Sequence, residues 1–309
     1  MPFDGGCPGF VGELCLALAH RLEPERLFMI YTAYFDESDT HSKKPDLIMA
    51  AFLGTVRQWE LFERRLKVLQ RRDGFQIFHA TDFRNRRGEF AGWSEPKAER
   101  LISDLAKLIS TGLTEGLTMT LPHALYESEY RLPPFPKGMH KDSQYGVCFR
   151  TATHSLLRII LADKKRHKLH VVIEDGHKNV QDTVRIFKEL KAEYAAFGHD
   201  LLGTMTVAAK AEALPLMVAD FQAYLSLLDS RLVGGGALSY DARAAAYPVP
   251  KGQAGLTTMQ FTAEHLRGLK ENWQQDRDAR IAKWRATRDA KRASRASSTA
   301  SLDDEGQSS

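Results

Sequence analysis

The sequence predicts an α/β chain built on a mixed sheet, and three observations point to it. Two β-branched and aromatic runs open the chain, MIYTAYF at 29–35 and DLIMAAFLG at 46–54. These early strands are followed by helix, strand, helix, strand and helix in alternation, the order that layers helices on a sheet. The chain has 309 residues, 43% hydrophobic and 27% charged, and no linker in its middle, so one large core is expected, in a single domain over 29–266.

Taken in order, the run at 29–35 is apolar on both faces, as a central strand would be, and DESD ends it. THSKKP at 40–45 is a turn before the second strand. Trp59, Phe62, Leu66 and Leu69 recur at helical spacing within a helix from Trp59 to Arg71. FQIFHATDF at 75–83 reads as a short strand passing into a loop. Ser94 is an N-cap, with Pro96 in the first turn and Leu101, Ile102, Leu105, Leu108 and Ile109 on the apolar face. GLTMTL at 116–121 is a strand and PPFPKG at 133–138 a rigid loop. A helix from Tyr145 to Leu161, a strong strand at 168–174 and an amphipathic helix from Asn179 to Phe197 follow. A weaker strand at 204–210 precedes a nearly all-apolar helix from Pro215 to Leu228. Residues 234–255 form an irregular excursion, and Thr262 begins a closing basic helix.

In the leader, 1–28, no Lys or Arg precedes the short apolar run Phe10–Ala19, which argues against a secretory signal. The leader is either a docking helix around Val11–His20 or an over-extended start, with Met29 the alternative first residue. No run of 18 apolar residues suggests a membrane helix, and Cys7, Cys15 and Cys148 are too scattered for a disulfide framework or zinc cluster. A cytoplasmic protein is the default expectation. The net charge is only +4, but ten basic and four acidic residues fall between Arg267 and Arg295. That helix is either a solvated surface or a nucleic-acid contact arm. Residues 296–309 read as a disordered tail.

Three acidic positions stand out. Asp36 lies at the carboxyl end of the first strand, where open α/β sheets place their ligands, and Glu37 follows it. Glu174 ends the strand KLHVVIE, with Asp175 and the turn-permitting Gly176 after it. Asp220 is the only charge in PLMVADFQAYLSLL, and a carboxylate on so apolar a helix needs a partner or a metal. Converging carboxylates suit Mg2+ or Mn2+, which could activate water for phosphodiester hydrolysis. The same acids also serve as turn formers or caps. His79 and Asp82 could reach the same edge or form a local turn; His177 and Lys178 are candidate phosphate contacts. Lys210 could salt-bridge the acidic group, while Arg84, Arg86 and Arg87 and the run Lys164, Lys165, Arg166 and Lys168 read as solvated faces. Dinucleotide, P-loop, zinc-protease and nucleophile-elbow motifs are absent.

YFDESD at 34–39 resembles the Asp-Glu-Ser-Gly-Asp signature of the domain of unknown function 3800 family, and Val218-Ala219-Asp220-Phe221 resembles its late helix, Gln-Leu-Ala-Asp-Leu. Glu174 with Asp175 and Gly176 fits its middle acidic position, and FHATDF resembles its strand-end histidine segment. Two departures stand beside these: Ser38 runs directly into Asp39, without the signature Gly, and Met217 replaces the usual Gln. The resemblance covers roughly 29–232 and implies a ribonuclease H-like fold, with a mixed sheet flanked by helices and, here, a helical C-terminal extension. It implies Asp36, Glu174 and Asp220 as metal ligands, Asp175 as an alternative middle ligand and Glu37 as a supporting residue. The leading expectation is a metal-dependent phosphodiesterase acting on RNA or DNA through Asp36, Glu174, Asp220, His79 and Lys210. A non-catalytic nucleic-acid-binding protein, and a structural or regulatory protein whose acids pair with Lys210, are the alternatives. The sequence leaves the oligomeric state open.

Overall fold

The computed structural model describes residues 29–38, 46–135, 137–162, 167–176, 178–232 and 255–272, with 274, 275, 278, 279, 282 and 286. The leader, the 40–45 turn, His177, the Lys164–Arg166 run, the excursion to 254, most of the basic helix and the tail lie outside the described residues. Contacts divide the chain into two units: Met1–His123 with Asp142–Phe261, and Ala124–Lys141 with Thr262–Ser309.

The first unit holds six strands: β1 (Met29–Ser38), β2 (Asp46–Thr55), β3 (Glu115–Pro122), β4 (His167–Glu174), β5 (Leu202–Ala208) and β6 (Gly255–Gln260). They form one sheet in the order β5-β4-β1-β2-β3-β6. β2 is antiparallel to both β1 and β3, while the β1–β4, β4–β5 and β3–β6 pairs are parallel, so β2 alone runs against the others. The first five strands in this order, with the second reversed and helices on both faces, make the ribonuclease H-like arrangement.

Helices α1 (Val56–Asp73), α2 (Ala80–Arg84), α3 (Glu95–Gly112), α4 (Gln144–Ala162), α5 (Val180–Ala196) and α6 (Leu216–Leu232) accompany the sheet. Tyr34 and Phe35 are both fully buried, so β1 has a core on each face, as its continuous apolar run requires. Tyr34, Phe52 and Val172 share one core with Trp59, Phe62 and Leu66 of α1, and with Leu216, Met217 and Phe221 of α6. A capping box between Thr55 and Gln58 starts α1, and Gly74, at φ 73°, ends it in the left-handed conformation. Trp59 Nε1 donates to the Thr32 carbonyl at 2.9 Å, locking α1 to β1. Gly54 permits that approach, because a Cβ there would stand 2.8 Å from Trp59 Nε1. On the opposite face Phe35 meets Phe149 of α4 at 5.2 Å. There Asp142 receives Arg150 at 2.6 Å and Arg185 at 2.6 Å, tying α4 to α5.

Two sequence expectations need correction. Residues 75–79 are not a strand, and 80–84 are helical. The segment's backbone donors find side chains instead of a neighbouring strand: Glu89 accepts from Gln76 and Ile77, and Met217 Sδ accepts from Phe78. Phe78 is fully buried against Phe83, Phe90 and Phe221, so its β-like composition serves an aromatic cluster. The sequence pattern carries the excursion to residue 255, yet Gly255 opens β6. GLTTMQ carries no long apolar run and is mostly exposed at the sheet edge, and backbone pairing to β3 makes it a strand.

In the second unit, Tyr126–Arg131 is π-helical, with Tyr126 stacked on Tyr130 at 5.6 Å and Phe135 edge-on to Tyr130 at 4.9 Å. Residues 263–272 form a helix, α7, begun by the Thr262 hydroxyl accepting the His265 amide at 3.2 Å. Its first two basic residues are engaged within the unit: Arg267 pairs with Glu129 at 3.0 Å, and Lys270 donates to the Glu129 carbonyl at 2.7 Å. Among the described residues no helix is long and apolar enough to cross a membrane.

Candidate active site

Strand parity decides which acids share a face. Asp36 is two residues beyond Tyr34, and Glu174 two beyond Val172, so both point to the α6 side of the sheet. Glu37 has the parity of Phe35 and belongs to the α4 face. β1 and β4 are parallel neighbours paired up to Phe35 and Ile173, which leaves Asp36 and Glu174 side by side at the next step. Asp220 comes down from the second turn of α6, five residues after Pro215. Lys210 lies in the turn after β5, beyond the last strand residue, Ala208.

These four side chains converge. Lys210 Nζ lies 2.9 Å from Asp36 Oδ2, 3.0 Å from Glu174 Oε2 and 2.9 Å from Asp220 Oδ2. Asp36 and Asp220 are each held by one backbone amide as well. Asp36 Oδ1 accepts the Glu37 N–H at 2.8 Å, and Asp220 Oδ2 accepts the Ala80 N–H at 3.1 Å. The Ala80 bond explains why an irregular segment, 75–79, leads into a short helix here: the first amide of α2 caps a buried carboxylate. Side-chain exposure is 2% for Asp36, 9% for Asp220 and 7% for Lys210, against 24% for Glu174, so the centre opens to solvent at Glu174.

Charge in the centre is unbalanced. Burial pushes the Asp36 carboxyl well above its ordinary range; Lys210 opposes that shift, while Asp220, Glu37 and Glu174 add to it. Burial, and then Glu174, push Glu37 up to about 8. Burial alone would depress the Lys210 ammonium, but Asp36, Asp220 and Glu174 hold it above its ordinary value. Four carboxylates thus act on one ammonium. Tyr145 is fully buried in α4, and its hydroxyl is pushed up by burial and then by Glu37, Asp36 and Glu174. Tyr145 begins a helix in the sequence pattern, and nothing in its neighbourhood along the chain links it to the acids.

The remaining candidates sit apart from Lys210. Asp175 is exposed, and its Oδ1 accepts the Gly176 N–H at 2.7 Å in a turn where Gly176 has φ +86°. His79 is exposed and N-terminal to α2, its carbonyl accepting the Phe83 N–H at 2.9 Å, so only its neighbour Ala80 touches Asp220. Arg86 is engaged by Glu95 at 2.7 Å, whereas Arg84, Arg87 and Lys178 are exposed.

The donor set suits a hard divalent cation: three carboxylates from three elements, with an ammonium standing where they meet. Among the described residues no group of three or more acidic, histidine or cysteine side chains is spaced as a ready-made metal cage. The carboxylates that converge are spaced by Lys210 Nζ.

Comparison with protein-family models and with curated proteins gives no match. Among solved structures the chain is similar to a variant of Bst-RNase HIII, at 14% identity and a TM-score of 0.39, over 76% of this chain and 65% of that one. It therefore spans just under two thirds of that protein's length. It is similar also to Bst-RNase HIII in complex with Mn2+, at 16% identity and a TM-score of 0.38, over 74% and 67% of the two chains. Ribonuclease H2 from Pyrococcus horikoshii OT3 shares 12% identity at a TM-score of 0.34, over 79% of this chain and 99% of that one. The class the topology itself defines is an α/β protein of ribonuclease H-like strand order with a carboxylate–lysine centre at its strand ends.

Proposed function

We propose that this protein is a cytoplasmic member of the domain of unknown function 3800 family and hydrolyses phosphodiester bonds in RNA or DNA with the help of Mg2+ or Mn2+. One observation carries the reading: carboxylates from β1, β4 and α6 meet at a single cationic point, 2.9–3.0 Å from each. Asp36 and Glu174 hold the site from the rigid sheet, and Asp220 completes it from α6. Asp36, Glu174 and Asp220 would hold the cation, which when bound would supply an activated water and offset charge on the phosphate. The Ala80 amide fixes the rotamer of Asp220, and the solvent opening at Glu174 admits the substrate. Exposed Lys178, with His79, is proposed to meet phosphates and the leaving group. The basic residues beyond Lys270 are proposed to add sequence-independent affinity.

The second reading is a nucleic-acid-binding or structural protein without turnover, and it is favoured by Lys210, which forms ion pairs with all three carboxylates. Turnover of a mixed panel of RNA, DNA and hybrid, measured with Mg2+, Mn2+ or EDTA, separates the two. Hydrolysis that requires the cation and disappears in Asp36→Asn, Glu174→Gln and Asp220→Asn supports the enzyme. Binding without turnover under every condition supports the second reading.

A further inference from the structure

We propose that Lys210 is a resident cation of the carboxylate centre and that a divalent ion enters only by displacing its ammonium, so the lysine gates metal uptake. This inference rests on the reading of Asp36, Glu174 and Asp220 as the metal site. An ammonium has three N–H donors, and here it faces three carboxylates at 2.9–3.0 Å. It is ion-paired to all three, and it stands on the same oxygens a hard cation would use. Two cations cannot share those oxygens at one point. Three carboxylates face this one ammonium, so a doubly charged ion on the same oxygens offsets more of their charge than lysine does.

The structure also provides a way out for the lysine. The backbone around it is tied: Glu212 and Ala213 donate to the Ala209 carbonyl, each at 2.9 Å, and Glu212 Oε2 accepts the Ala209 N–H at 3.2 Å. The motion therefore belongs to the four-carbon side chain, which is flexible. Glu174, at 24% exposure, marks the side that leads to solvent. A site closed in this way keeps a cation among its carboxylates without metal, and it opens when the ion concentration is high enough to win the exchange.

Calorimetric titration of Mn2+ into the wild type and Lys210→Met tests the gate, since methionine keeps most of the stem and removes the charge. The gate predicts binding at least tenfold tighter in Lys210→Met. Equal or weaker binding than in the wild type overturns the gate while leaving the metal site standing; binding by neither protein overturns both. The wild type also provides a test that needs no variant to fold. Reductive methylation followed by mass spectrometry should find Lys210 protected in EDTA and modified at least tenfold faster in saturating Mg2+. Protection that persists in saturating Mg2+ overturns the gate.

Discussion

Asp36 and Glu174 stand one residue beyond the Phe35–Ile173 pair on neighbouring parallel strands, and one ammonium joins them, with Lys210 Nζ at 2.9 Å and 3.0 Å from their carboxylates. Parallel register brings two acids side by side, a placement relieved by a nearby cation or by a proton on one of them. Asp220 reaches the same nitrogen from α6. Removing a member of this group therefore has opposite consequences according to the sign of its charge.

Lys210→Met should cost about 3–5 kcal/mol in the presence of a chelator, because it strands buried carboxylates. Asp220→Asn should change stability by no more than about 1 kcal/mol, since the ammonium keeps two carboxylates and loses one source of repulsion on Asp36. Urea unfolding in EDTA measures both. Equal losses in the two variants would show that pairing, and not surplus negative charge, governs the centre.

On the far face, Asp142 is buried and shared by Arg150 and Arg185. Asp142→Ala leaves two guanidinium groups facing each other across α4 and α5 and should cost about 3–5 kcal/mol. Glu189 still binds both arginines, so the loss should be partial and not a collapse of the fold. Denaturant melts that show a change below about 0.5 kcal/mol would class the cluster with ordinary surface pairs.

Two imidazoles make stability depend on pH. Burial, helped by Arg150, lowers His154 to about 4, and burial, helped by Lys168 and Lys191, lowers His170 to about 4. Unfolded, each takes up its proton near 6.5, so the stability they confer is complete above 6.5 and is lost as pH falls from 6.5 to 4. The contribution is at most about 3 kcal/mol each. A His154→Asn, His170→Asn double variant should show a flatter fall over that range than the wild type. Parallel pH profiles for the two proteins would rule out the assignment.

Phe78 anchors the segment that delivers the Ala80 amide to Asp220, packing between Phe83, Phe90 and Phe221. Phe78→Ala should cost about 3–5 kcal/mol through lost burial and the cavity it leaves. Leu132→Ala, at a side chain 74% exposed, should stay within about 0.5 kcal/mol. Thermal melts of the pair check whether 75–79 belongs to the core or merely covers it.

The sequence by itself determined the strands and helices whose apolar periodicity is long, and it singled out Asp36, Glu174 and Asp220. Strand ends and a lone charge on an apolar helix are local patterns, readable without knowing what lies across the molecule. It misread 75–83, where aromatic, β-like composition fills a cluster whose backbone donors are satisfied by Glu89, Met217 and Asp220. It missed β6, whose six mostly exposed residues are made a strand by pairing with β3. It offered Lys210 as a catalytic candidate and one possible partner for the acids, without saying how many of them it meets. Whether a lysine serves one carboxylate or three depends on where β1, β4, β5 and α6 end in space. That is decided by long-range pairing and helix packing, and no local pattern in the chain records it. Tyr145 was invisible for the same reason: its link to the acids runs across the sheet and α4, with more than a hundred residues of chain between it and Asp36.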